Sequence, residues 1–128
     1  PTCDRNHLPG FIEHSEAIRA KGVDEIAVVA VNDVFVMGAW AKASGAGDKV
    51  RFLADGSAEF TRAVGMELDA SGFGMGVRSK RYAMLIDDGV VNDLQVEDAP
   101  GSVEKSGAAK LAACQMGDPD ALKAPSFQ

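Results

Sequence analysis

With 128 residues, 46% of them hydrophobic and 25% charged, the chain has the size and balance of one soluble domain with a true core. A net charge of −6, and no basic cluster denser than Arg78, Lys80 and Arg81, argue against nucleic acid as a partner. No apolar run is long enough to cross a bilayer, no signal peptide is visible, and two distant cysteines, Cys3 and Cys114, fit a reducing compartment such as the cytoplasm.

From about Cys3 to Lys21 the pattern is helical. Leu8, Phe11, Ile12 and Ile18 fall near one stripe, Gly22 stops it, and Pro9 should kink it or end its first turn. Glu25 to Val31 (EIAVVAV) reads as a buried strand, parallel, with neighbours on both edges. Asp33 can cap a second helix carrying Val36, Met37 and Trp40, which Gly45 to Asp48 breaks. A second strand runs from Val50 to Ala54, and a short helix from Glu59 to Val64. Three glycines in Ser71 to Gly76 make a loop. Arg81 to Ile86 and Val90 to Val96 are strands joined by Asp87-Asp88-Gly89, a hairpin signal. After the Pro100-Gly101 turn, Ser102 to about Gln115 reads as a helix with Glu104 in its first turn. A loose tail follows Gly117. The order is that of an α/β chain with a parallel and an antiparallel part: one domain over residues 1–116 and a tail over 117–128.

Cys3 stands at the mouth of the first helix. A helix N-terminus carries roughly half a positive charge and unpaired N–H groups, and both favour the reactive thiolate. The residue is therefore either a nucleophile of lowered pKa or a small core residue, as buried cysteines commonly are. Cys3, His7 and His14 are spaced i, i+4, i+11 and could share a face toward Zn²⁺. Pro9 would spoil that geometry and no fourth ligand is evident, so no metal is expected. The glycines at 72 to 76 lack the ending of a phosphate-binding loop. Asn6 stands where a Cys-x-x-Cys reductase would place its second thiol.

Pro1-Thr2-Cys3, His7-Leu8-Pro9-Gly10-Phe11, Val31-Asn32-Asp33-Val34-Phe35-Val36, Leu53-Ala54-Asp55-Gly56 and Lys80-Arg81-Tyr82 together resemble the peroxiredoxin 5 (type II peroxiredoxin) family, in register from Pro1 to about Val96. The resemblance implies a thioredoxin-like fold and a thiol peroxidase acting on hydrogen peroxide and alkyl hydroperoxides. Cys3 falls on the peroxidatic cysteine and Arg81 on the arginine that faces it. Thr2, Cys3 and Arg81 are implied to bind the peroxide, the first two through backbone N–H groups. Of the family motif Pro-x-x-x-Thr-x-x-Cys only the last three residues are present, and Thr2 is not the motif threonine. The reading is of a piece whose first strands are missing. On that reading the Cys3 pKa should lie near the free value of about 8.5.

In the family's members with an internal disulfide the second cysteine lies nearer Lys105 or Ser106, so Cys114 reads as a helix-face residue. An external thiol (glutathione, glutaredoxin or thioredoxin) is then implied as the reductant, with no cofactor. The glycine loop belongs, by the same resemblance, to the contact side of a homodimer. The alternative function is a thioredoxin-like module without turnover that senses redox state or binds protein.

Overall fold

The computed structural model describes residues 3–99 and 101–108. The chain divides into two units: one takes the described residues up to Asp24 together with those from Arg81 onward, the other runs from Glu25 to Lys80.

In the unit from Glu25 to Lys80, the apolar run forms β1 (Ala27–Ala30), which pairs in parallel with β2 (Arg51–Ala54), Ala27 opposite Arg51 and Ala30 opposite Ala54. The parallel pairing is as expected. The strand is shorter than expected, and among the described residues β2 is its one partner. Its middle residues are half-buried, and the buried side chains are those that flank it, Ile26 and Val31. Helix α3 (Val34–Ser44) connects the two strands. The Asp33 carboxylate accepts the Val36 N–H at 2.8 Å, so it caps the helix as its position suggests. Gly45 ends the helix at φ 68°, a left-handed conformation that glycine adopts without a Cβ penalty.

Beyond β2, the Asp55 carboxylate gathers the start of α4 (Glu59–Ala63). It accepts the Phe60 and Thr61 N–H groups and the Thr61 hydroxyl, the last at 2.6 Å. The glycine loop is the connection of a hairpin that the sequence reading lacks: β3 (Glu67–Asp69) pairs antiparallel with β4 (Val77–Ser79). Strands of three residues carrying Glu67, Asp69 and Arg78 show too little alternation to announce themselves. Arg78 ties β4 to the end of β1, donating to the Val31 carbonyl at 2.7 Å and to the Asn32 side chain at 3.1 Å.

The other unit begins with one π-helical turn, Cys3–His7, which continues into α1 (Leu8–Glu13) and α2 (Ser15–Ala20). The change from π-helical to α-helical geometry falls between His7 and Leu8, and Pro9 sits in the first turn of α1, a position proline tolerates. The break falls at His14 instead, whose Nδ1 donates to the Gly10 carbonyl at 2.9 Å, alongside its own backbone N–H at 3.0 Å. A side chain that competes for an i−4 carbonyl loosens the helix there.

Strands β5 (Tyr82–Asp87) and β6 (Val90–Val96) form the expected antiparallel hairpin. Asp88 and Gly89, both at positive φ, make its two-residue turn. The register slips between Leu85 and Ile86. Past that point the buried positions of β6 are Asp93 and Gln95, and period-two spacing brings Glu97, just beyond the strand, to the same side, where it too is buried.

The expected helix from Ser102 is corrected. Residues 102–107 are irregular, and the helical conformation appears at Ala108. The N–H groups of Glu104, Lys105 and Ser106 all donate to the Glu97 carboxylate, so this stretch wraps around a side chain, and Glu104 lies in a loop rather than a first turn. The expected helix to Gln115, with Cys114, and the tail after Gly117 lie outside the described residues, as does Thr2.

Candidate active site

Cys3 and Arg81, far apart in sequence, meet. Arg81 immediately precedes β5, and its Nη2 donates to Cys3 Sγ at 3.2 Å. Its Nη1 donates to the Ser102 carbonyl at 3.0 Å. A guanidinium holds its donors in one rigid plane, so the bond to Ser102 fixes where the other edge points. The sequence alone left a solvated charge at a strand edge as the alternative for Arg81. The side chain is instead half-buried and committed to the sulfur.

His7 lies one π turn after Cys3. Its Nε2 contacts the Ser106 carbonyl at 2.9 Å and the Ser106 hydroxyl at 3.1 Å. A carbonyl oxygen only accepts, so Nε2 carries a hydrogen. Phe11 packs edge-on against the imidazole, with ring centres 5.4 Å apart.

These neighbours decide the state of the thiol. Burial pushes the Cys3 thiol up. Hydrogen bonding with His7 and Arg81, and the positive charge of both, outweigh it and pull the thiol from 9.0 down to about 7. The value lies below the expected one, which was closer to that of a free thiol and rested on the reading of a chain without its first strands and motif threonine; Arg81 lowers the thiol as expected, and His7 adds to it. A thiol titrating near 7 is about half thiolate at neutral pH, and the thiolate is the nucleophile.

His7 and His14 each place one ring nitrogen on a backbone carbonyl, and the described residues contain no group of three or more His, Cys, Asp or Glu able to hold a metal. Sequence reasoning missed Ser102, Ser106 and Glu97. Two of the three act through backbone atoms, which leave no mark in the sequence. A usable signal was the period-two row of Asp93, Gln95 and Glu97 leading into a Pro-Gly turn, which turns an acid inward just before a loop.

The family model described as Redoxin matches residues 1–111. Peroxiredoxin-2E-2, chloroplastic, of Oryza sativa subsp. japonica is 53% identical over 114 residues, which are 87% of this chain and 50% of the rice protein. Among solved structures, reduced Prx3 of Vibrio vulnificus in complex with hydrogen peroxide is 52% identical with a TM-score of 0.85, covering 91% of this chain and 70% of that one. The chain belongs to the peroxiredoxin family. Peroxiredoxin 5 from Alvinella pompejana is a further structural relative of this peroxiredoxin, 41% identical at a TM-score of 0.72, with coverage of 87% and 66%. These neighbours carry the thioredoxin-like peroxiredoxin fold, and the expected fold class agrees with them. The peroxiredoxin chain spans about half the length of the rice relative. No described helix is long and apolar enough to cross a membrane.

Proposed function

We propose that this peroxiredoxin is a thiol peroxidase that reduces hydrogen peroxide and alkyl hydroperoxides. The observation that carries the reading is the Arg81 guanidinium 3.2 Å from a Cys3 thiol lowered to about 7. In the first step the Cys3 thiolate attacks one peroxide oxygen. An S–O bond forms, the O–O bond breaks, and the leaving oxygen departs as hydroxide or alkoxide and takes up a proton. Sulfur is oxidised to Cys-SOH and the peroxide is reduced to water or an alcohol. Arg81 stabilises the charge that moves onto the leaving oxygen, with a donor already fixed by Ser102. The backbone N–H groups of Thr2 and Cys3 are the proposed further donors to the peroxide.

An external thiol then condenses with the sulfenic acid, releasing water and forming a mixed disulfide. A second thiol breaks that disulfide and restores Cys3. Glutathione with glutaredoxin, or thioredoxin, is the proposed reductant, and the compartment is a reducing one: the cytoplasm, or a plastid, as the name of the rice relative states for that protein. Sustained consumption of peroxide with a thiol reductant is expected. Consumption of a single equivalent per chain would instead mark a redox sensor without turnover, and would overturn the peroxidase.

A homodimer is proposed through the unit from Glu25 to Lys80. Phe35, in the first turn of α3, is 84% exposed, and Phe73, in the glycine loop, is 83% exposed, with Val34 and Met75 exposed beside them in the chain. Exposed apolar surface of this kind suits a second copy of the same surface. Phe35→Glu and Phe73→Glu are expected to shift a sedimenting dimer to monomer. A monomeric parent protein at micromolar concentration would remove the proposal.

A further inference from the structure

Two groups stabilise the Cys3 sulfur, Arg81 and His7, and each is itself held by a backbone carbonyl: Ser102 for Arg81 and Ser106 for His7. Both carbonyls belong to the irregular stretch of residues 102–106. That stretch has no helical or sheet hydrogen bonding to fix it. It has one side chain at its centre. Glu97, 7% exposed, accepts from the N–H groups of Glu104 at 3.1 Å, Lys105 at 2.9 Å and Ser106 at 2.6 Å, and from the Ser106 and Ser102 hydroxyls at 2.6 and 3.3 Å. Backbone donors surround the carboxylate as they would surround an anion bound in a nest of successive amides. Its own N–H donates to the Arg81 carbonyl at 2.9 Å, so the residue that organises the loop is also tied to the backbone of the arginine.

We infer that Glu97 is a positioning residue for the peroxidatic thiol: its carboxylate shapes the 102–106 loop so that the Ser102 and Ser106 carbonyls aim Arg81 and His7 at Cys3. The inference rests on the peroxidase reading for its purpose and on the hydrogen bonds alone for its physics. Two features make the device effective. Burial pushes the Glu97 carboxyl up, and the hydrogen bonds from Ser106, Lys105 and Glu104 outweigh it and hold the group below the ordinary carboxylate range, so it stays charged. Charge-assisted hydrogen bonds are also the strong ones, and five donors meeting on one carboxylate leave the loop little freedom. Lys105 adds a second tie, its Nζ 2.8 Å from Asp98. Ser106 carries the link onward, because its hydroxyl donates to Glu97 and presents a lone pair to the N–H of His7.

The test reads the thiol rather than turnover, so it stands even if the protein proves not to be a peroxidase. Glu97→Gln keeps the size of the side chain but replaces one acceptor oxygen with an amide that must face N–H donors. The midpoint of pH-dependent Cys3 alkylation, followed in a protein whose other cysteine is changed to serine, should rise from about 7 by about one pH unit. Alkylation at pH 7 then slows about fivefold, as the thiolate fraction falls. Ser106→Ala removes one hydroxyl and should raise the midpoint less, and the double variant should be no worse than Glu97→Gln alone, because both act in one chain of contacts. A Glu97→Gln protein that melts cooperatively and keeps the parent midpoint overturns the inference. If Glu97→Gln does not fold, an unchanged midpoint in Ser106→Ala overturns it equally.

Discussion

Cys3→Ser abolishes peroxide turnover, while Cys114→Ser retains most of it when glutathione and glutaredoxin are supplied. This is the expected result of comparing the two variants in a coupled assay. A serine hydroxyl at Cys3 has neither the acidity nor the polarizability to attack the O–O bond, so the loss should reach the uncatalysed background. Cys3 is the thiol with an arginine donor and a histidine beside it. An equal loss in both variants would overturn a mechanism in which the second thiol comes from outside the chain.

Arg81→Lys has the second largest effect. Lysine keeps the charge but loses the planar fork, so one ammonium cannot reproduce the bond to the Ser102 carbonyl and the bond to Cys3 Sγ together. Reaction with peroxide should slow about tenfold or more, which corresponds to about 1.4 kcal/mol per decade. The pH profile gives an independent check. In the parent protein the thiolate is lost as pH falls through about 7, so the rate should be flat above that value and fall about tenfold per unit well below it. Weaker stabilisation of the thiolate raises the thiol pKa, so in Arg81→Lys the falling limb should move to higher pH. A rate unchanged within about twofold, with an unmoved limb, would remove Arg81 from the site.

The parts of this peroxiredoxin that were legible in the sequence are those written in side chains. The Val-rich run of β1, the Asp33 cap, the Asp88-Gly89 turn and the family register that pairs Cys3 with Arg81 all have local signals or motif signals. The errors arise where backbone groups decide. Residues 102–107 have the composition and acidic start of a helix, yet their N–H groups have a better acceptor in Glu97. His14, rather than Pro9, breaks the first helix, because a ring nitrogen reaches back to a carbonyl. The pairing of Cys3 with Arg81 follows from the family register, but the way the Ser102 and Ser106 carbonyls hold Arg81 and His7 is written in backbone atoms and leaves no mark in the sequence.

Arg81 lies 78 residues along the chain from the sulfur it stabilises, and Ser106 lies 99 from the histidine it holds. Contacts of such separation form only after long loops have closed. A chain still being synthesised, or one that has unfolded, therefore carries Cys3 as an ordinary thiol, with only a few per cent as thiolate at pH 7. Oxidation of sulfur proceeds through the thiolate, so the nucleophile reacts with peroxide only slowly until its distant partners arrive. Reactivity is thus a product of completed folding, and the molecule is shielded from premature, irreversible oxidation during the period when no neighbouring groups could make that chemistry useful.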